Sequence, residues 1–182
     1  MQIISGKYKG LSLPKAYSIT RPTTAKVKQA IFSKLENMID FDQFSFYDLF
    51  AGTGSLGFEA LSRGAREVYL NDNSKKVVDL LDRFCKDKGF ENVKLTKMNA
   101  NRVKISDNSQ CEAIAFVDPP YRFSSGDVAK LSNLKNAKLI IYEHSKNEII
   151  DFQIGVFKCF KLESESVYGD TIISFISKKV LD

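Results

Sequence analysis

The chain has 182 residues, of which 43% are hydrophobic and 27% charged, enough for one globular domain with a sizeable core and unlike a disordered chain. Three scattered cysteines and a single histidine exclude a disulfide scaffold, and no ligand set is spaced for zinc, so no metal is expected. The net charge of +5 lies wholly in residues 1–40, where seven basic side chains face only Glu36 and Asp40, while the rest is balanced; such a localised excess is the footprint of a polyanion-binding surface.

In chain order, residues 2–13 alternate short apolar stretches with Gly6 and Gly10, which predicts a small hairpin or extended arm. Residues 14–22 read as loop. Pro22-Thr23-Thr24 is a helix-start signal, because a threonine oxygen can cap free backbone N–H groups. Val27, Ile31 and Leu35 then form a stripe at four-residue spacing, with Lys26, Lys28 and Lys34 expected mostly off it. The first cationic segment is thus a helix that buries one side and presents lysines on the other.

From residue 45 onward, strands alternate with helices. Strands are expected at 46–50, 67–70, 93–95, 113–117 and 139–142, with helices at 55–63 and 73–87. Two last strands, near 156–162 and 171–177, have no helix between them and should pair antiparallel. The fold class is therefore α/β, a mostly parallel sheet covered on both faces with an antiparallel edge. No segment approaches the ~20 apolar residues of a membrane span, and the start lacks a signal-peptide core, so a cytoplasmic protein without membrane partners is expected.

Two motifs carry chemistry. Gly52-Thr53-Gly54-Ser55-Leu56-Gly57 matches G-x-G-x-x-G between a strand and a helix, where glycines allow a tight turn and close approach of a nucleotide cofactor. The second strand ends in Asn71-Asp72; either side chain can bond a ribose hydroxyl, and only Asp72 does so as a charged acceptor. The loop alone leaves a dinucleotide dehydrogenase open.

The second motif, Val117-Asp118-Pro119-Pro120-Tyr121, follows a buried-type strand and falls at the same sheet edge. An exocyclic amine on a nucleobase is a poor nucleophile, since its lone pair is delocalised into the ring. Two acceptors on one side of the nitrogen would take its hydrogens and turn the lone pair outward. The Asp118 carboxylate and the Pro119 carbonyl suit that task, and the Pro119-Pro120 pair aims the carbonyl rigidly. Tyr121 offers a face on which an extruded base can stack. A sulfonium methyl donor in the glycine-loop site would need alignment and no strong general base. Tyr47, Phe50 and Tyr121 could line such a cation with their rings. A Ser-His-Asp or Cys-His engine would have to use His144, which is expected at the surface.

Taken together, Ile3-Ile4-Ser5-Gly6, Lys9-Gly10, Arg21-Pro22-Thr23-Thr24, the block Asp48-Leu49-Phe50-Ala51-Gly52-Thr53-Gly54 with Leu56 to Ala65, and Val117 to Tyr121 resemble the RsmD-like family. These are S-adenosylmethionine-dependent methyltransferases acting on the N2 amine of a guanine in 16S ribosomal RNA. The resemblance implies a Rossmann-like class I methyltransferase fold over 41–182 and a basic RNA-binding arm and helix over 1–40. It implies cofactor contacts from Asp48, Phe50, Ala51, Gly52, Thr53, Gly54 and Gly57, with Asn71 or Asp72 at the ribose and Asn99 and Ala100 near the adenine. Asn71 stands where the family usually has glutamate, and Asn99 where it often has an acid. Asp118, Pro119, Pro120 and Tyr121 would hold the guanine amine, and Lys7, Lys9, Arg21, Thr23, Lys26 and Lys28 would contact RNA. The expected partner is 16S rRNA in the 30S subunit or its assembly intermediate. The alternatives are a DNA adenine-N6 or cytosine-N4 methyltransferase and a non-catalytic RNA-binding factor on the same fold. Tyr168-Gly169-Asp170 also resembles the family and reads more simply as a β-turn.

Overall fold

The computed structural model describes residues 1–15, 24–106, 111–120 and 123–179. Arg21, Thr23 and Tyr121 lie outside them. Seven strands form one sheet: β1 (Phe44–Asp48), β2 (Glu67–Asn71), β3 (Val93–Thr96), β4 (Glu112–Val117), β5 (Leu139–Ser145), β6 (Phe160–Tyr168) and β7 (Thr171–Lys178). Their order is β3-β2-β1-β4-β5-β7-β6. Strands β1 to β5 pair in parallel, while β7 runs antiparallel to both β5 and β6. The expected α/β class and antiparallel edge are both present. Chain order reverses beside β1, between β2 and β4, and such a switch opens a crevice at the strands' carboxyl ends.

Every residue of β1 is buried, as a central strand covered on both faces requires. One apolar layer holds Phe46, Phe58, Leu70 and Phe116; the other holds Tyr47, Ala115, Ile140 and Phe157. Helices α1 (Ala25–Glu36), α2 (Ser55–Ser62) and α3 (Lys75–Lys88) precede the short α4 (Ser125–Val128). Thr24 caps α1, its side-chain oxygen accepting from the Val27 N–H at 3.3 Å.

The N-terminal arm is a hairpin, with Ile3 donating to the Leu11 carbonyl at 3.0 Å and Gly10 to that of Ile3 at 2.9 Å. It docks on the end of α2. Gly6 has φ +82°, and a Cβ there would sit 1.9 Å from the Ser62 carbonyl oxygen, so only glycine permits this contact. The Glu59 carboxylate of α2 accepts from the Ile4 and Ser5 N–H groups at 2.8 and 3.0 Å, and from Arg63 Nε at 2.9 Å. Ile3, Leu13, Val27, Ile31, Phe32 and Leu35 join the same apolar layer as β1, so arm and helix share a core with the sheet.

Two elements depart from expectation. Residues 155–159 form a 3-10 turn that buries Val156 and Phe157, and the edge strand begins only at Phe160. Strand β5 runs on to Ser145, which makes His144 part of the sheet and leaves it 6% exposed, not at the surface. Its Nε2 lies 2.8 Å from Ser174 Oγ on β7, whose hydroxyl donates to Glu165 on β6.

Candidate active site

A cleft of about 1350 Å³ opens at the carboxyl ends of β1, β2, β4 and β5. Its walls include Asp48 to Thr53, Ser55, Asn71, Asp72, Asn99, Ala100, Asp118, Pro119 and Pro120. The two motifs, about sixty residues apart in sequence, therefore face one space. That space exceeds the roughly 300–1,000 Å³ of a single-ligand pocket and suits a donor and an acceptor side by side.

The local causes are visible at two glycines. Gly54 is the N-cap of α2 at φ +73°, and a Cβ there would meet Phe58 at 2.4 Å. Gly57 lies where α2 crosses β2; a Cβ would stand 2.2 Å from Leu70. The helix is thereby pressed onto the sheet with its first N–H groups at the cleft. Gly54 offers no capping side chain, the Gly57 N–H is taken by the Asp48 carboxylate, and the buried Ser55 hydroxyl has no partner among the described residues. Such an end suits an anionic ligand group.

Carboxylates mark the rest of the donor side. Asp48, at the end of β1, is 2% exposed, and its carboxyl is pushed up to about 7 by burial first and then by the charge of Asp118. The backbone N–H groups of Gly57 and Phe50 oppose the shift, and Asp72 adds to it. Asp72 Oδ2 accepts from the Gly52 N–H at 3.1 Å and Oδ1 from that of Ser74 at 2.8 Å, which ties the glycine loop to the end of β2. The group that fits this wall is a cation carrying its own carboxylate, which describes the methionine portion of S-adenosylmethionine.

Asn71 is a correction. Its Nδ2 donates to the carbonyls of Leu49 and Met98, and its Oδ1 accepts from Thr96 Oγ1 and the Met98 N–H. All four bonds of the amide are used in lacing the ends of β1, β2 and the chain after β3. Tyr47 is a second correction: it stacks on Tyr69 at 4.3 Å in the core, its hydroxyl accepting from Ser106, and does not line the cleft. Phe50 does line it, edge-on to Phe123.

Among the RNA-binding candidates, Lys7, Lys9 and Lys26 are exposed. Lys28 is not. It is 0% exposed, pairs with Glu59 at 3.2 Å and donates to the Gln2 carbonyl at 2.9 Å. The apolar stripe of α1 is wide enough to take it in, so Lys28 holds the arm to α2 and cannot reach a phosphate. The far end of the cleft is formed by Glu143 and His144 of β5 and by Asp170-Thr171 after the β6–β7 turn, in keeping with the sequence reading that Glu143-His144, following an apolar strand, can reach the cleft. Gly169, at φ +65° in that turn, agrees with the β-turn reading.

A family model described as "Conserved hypothetical protein 95" matches residues 1–177. A methylase of Rickettsia prowazekii is 42% identical over 50% of this chain and 42% of its own length. The Ribosomal RNA small subunit methyltransferase D of Buchnera aphidicola from Acyrthosiphon pisum is 32% identical over 81% of this chain and 80% of its own. The solved structure of "Putative methyltransferase yhhF" from Escherichia coli superposes with a TM-score of 0.78 at 26% identity, covering 100% of this chain and 99% of the other. The chain belongs to this family, that of ribosomal RNA small subunit methyltransferase D, enzymes of the class I fold that use S-adenosylmethionine.

Proposed function

We propose that this chain transfers a methyl group from S-adenosylmethionine to the N2 amine of a guanine in 16S rRNA, within a 30S particle or its precursor in the cytoplasm. The observation that carries the reading is the shared cleft: Asp118-Pro119-Pro120 and the glycine loop line one space.

The donor supplies an electrophilic methyl on a positively charged sulfur. Asp48, Asp72 and the N-terminal end of α2 hold its methionine and ribose portions, and Asn99 with Ala100 borders the adenine. Asp118 and the Pro119 carbonyl take the two hydrogens of the amine and turn its lone pair toward the methyl carbon. The nitrogen–carbon bond forms as the carbon–sulfur bond breaks, with that bond's electron pair going to sulfur. The nitrogen then loses one proton, for which Asp118 is the nearest acceptor and the open cleft the exit. Positioning supplies most of the acceleration.

The test compares wild type and Asp118→Ala on small-subunit particles from cells lacking this enzyme and on short DNA duplexes. Wild type is expected to methylate particles and not duplexes. Asp118→Ala should lose at least ~10²-fold in turnover, the scale for deleting one group that stabilises the transition state, while binding particles as before. Methylation of duplexes alone, or full turnover by the variant, contradicts the reading.

A further inference from the structure

Strand order decides what stands on either side of the base corner. The donor wall follows β1 and β2, the Asp118 corner follows β4, and β5 is the next strand outward. Along the sheet edge the succession is donor, base, and then the chain that leaves β5. That chain carries Ile149, which is 84% exposed, more than any other large apolar side chain among the described residues.

Ile149 is exposed but held. Its carbonyl accepts from Ser125 Oγ at 2.8 Å, and the carboxylate of the preceding Glu148 accepts from the Ser125 N–H. Just before Ser125, Ser124 and Asp127 close a reciprocal cap on α4, and Phe123 donates to the Pro120 carbonyl at 2.8 Å, folding the chain back onto the Asp-Pro-Pro corner. Pro120, Phe123, Asp127 and Glu148 all line the cleft, so this run of bonds ties Ile149 to the rim beside the corner. Val167, at 64% the next most exposed, lies on β6, none of whose residues lines the cleft.

Resting on the reading above, we infer that Ile149 is a wedge that enters the stack the target guanine leaves and fills the gap while the base is held at the corner. A guanine inside a base stack cannot present its N2 amine to Asp118 and the Pro119 carbonyl, so it must swing out. Its departure exposes the faces of the neighbouring bases to water. An apolar side chain between them restores the lost contact, a use that isoleucine serves in nucleic-acid complexes. The side chain offers a phosphate neither charge nor hydrogen bond, so base faces are the RNA surface it suits. The bonds to Ser125 fix its backbone beforehand, which spares the ordering of a loose loop on binding. Ile149 touches neither the amine nor the methyl; it shifts the balance between stacked and extruded guanine.

The test compares Ile149→Ser, Ile149→Lys and Ile149→Leu with wild type on small-subunit particles from cells lacking this enzyme. It reads the single-turnover rate of methyl transfer at saturating enzyme and, separately, the affinity for the particle. The Ser and Lys variants should lose ~10-fold or more in rate, a part of what unstacking costs, while Ile149→Leu, which keeps the apolar bulk, stays within about two-fold. Particle affinity should fall by no more than about three-fold in either polar variant, since phosphate contacts supply most of it. Calorimetry with S-adenosylmethionine should give wild-type affinity in all three and show that they are folded. Unchanged rates in the Ser or Lys variant would overturn the inference, because a plain RNA contact tolerates or welcomes lysine. So would an equal loss in Ile149→Leu, or a loss confined to particle binding. Failure of the underlying reading looks different: wild type would then methylate no guanine in any particle.

Discussion

Asp48 couples the charge of the cleft to pH. Its carboxyl sits near 7 in place of 3.8, so the folded chain favours the neutral acid. That contribution to stability is complete below the unfolded value and is lost as pH rises through about 7. A sulfonium held nearby favours the ionised carboxylate instead, so cofactor binding should release a proton near neutrality. Affinity for S-adenosylmethionine is expected to rise between about pH 5 and 7, by at most ~10-fold per unit for one proton, and to level off above that, while S-adenosylhomocysteine, with its neutral sulfur, follows a flatter profile. Calorimetric titrations of both ligands across that range check this. Parallel profiles would mean that Asp48 does not sense the sulfur's charge.

Individual residues were legible in the sequence where a backbone constraint or a motif marked them, as at Gly54, Gly57 and Asp118. They were not where tertiary bonding decided their use. Asn71 sits in a ligand-binding position by sequence, yet its amide is filled by carbonyls and a hydroxyl from segments distant in the chain. His144 follows an apolar run that reads as finished at Tyr142, and the antiparallel partner β7 extends the strand over it.

Among the elements, the parallel strands and their helices stood out because buried β strands are apolar throughout and helices repeat every 3.6 residues. The edge strand β6 did not. Its sequence Phe160-Lys161-Leu162-Glu163 is mixed because water reaches it, whereas the apolar pair Val156-Phe157 that suggested a strand packs beneath a 3-10 turn. The arm and α1 were found, but their basic residues divide into two kinds that composition cannot separate. Lys7 and Lys9 lie exposed at the hairpin tip; Lys28 is sealed against Glu59. Reversing the charge of Lys7 and Lys9 together should weaken rRNA binding and lower the slope of log affinity against log salt by about 1.5–2, with folding intact. Lys28→Met should leave that slope unchanged and reduce stability in urea, since it removes one of the two cations that pair with the buried Glu59 carboxylate. An unaltered slope in the double reversal would remove the arm from the RNA contact.

At the scale of the whole molecule, strand order does what neither motif does alone. The glycine loop leaves β1 and the Asp-Pro-Pro corner leaves β4, and the parallel pairing of these strands sets their ends beside each other. The buried Lys28–Glu59–Arg63 group fastens the basic arm to the helix that follows the glycine loop, and Met1, Pro14 and Lys15 reach the cleft rim. The glycine loop, the Asp118 corner and the basic arm are thus held by one sheet and its shared core.

The most direct test of that single cleft is the affinity of a conjugate joining adenosyl and amino-acid portions of the cofactor to a guanine through N2. Two adjoining subsites predict competition with S-adenosylhomocysteine and binding at least ~100-fold tighter, as for a ligand resembling the transition state, with the gain largely abolished in Asp118→Ala. A conjugate that binds no tighter than S-adenosylhomocysteine, or whose advantage survives Asp118→Ala, would contradict the account.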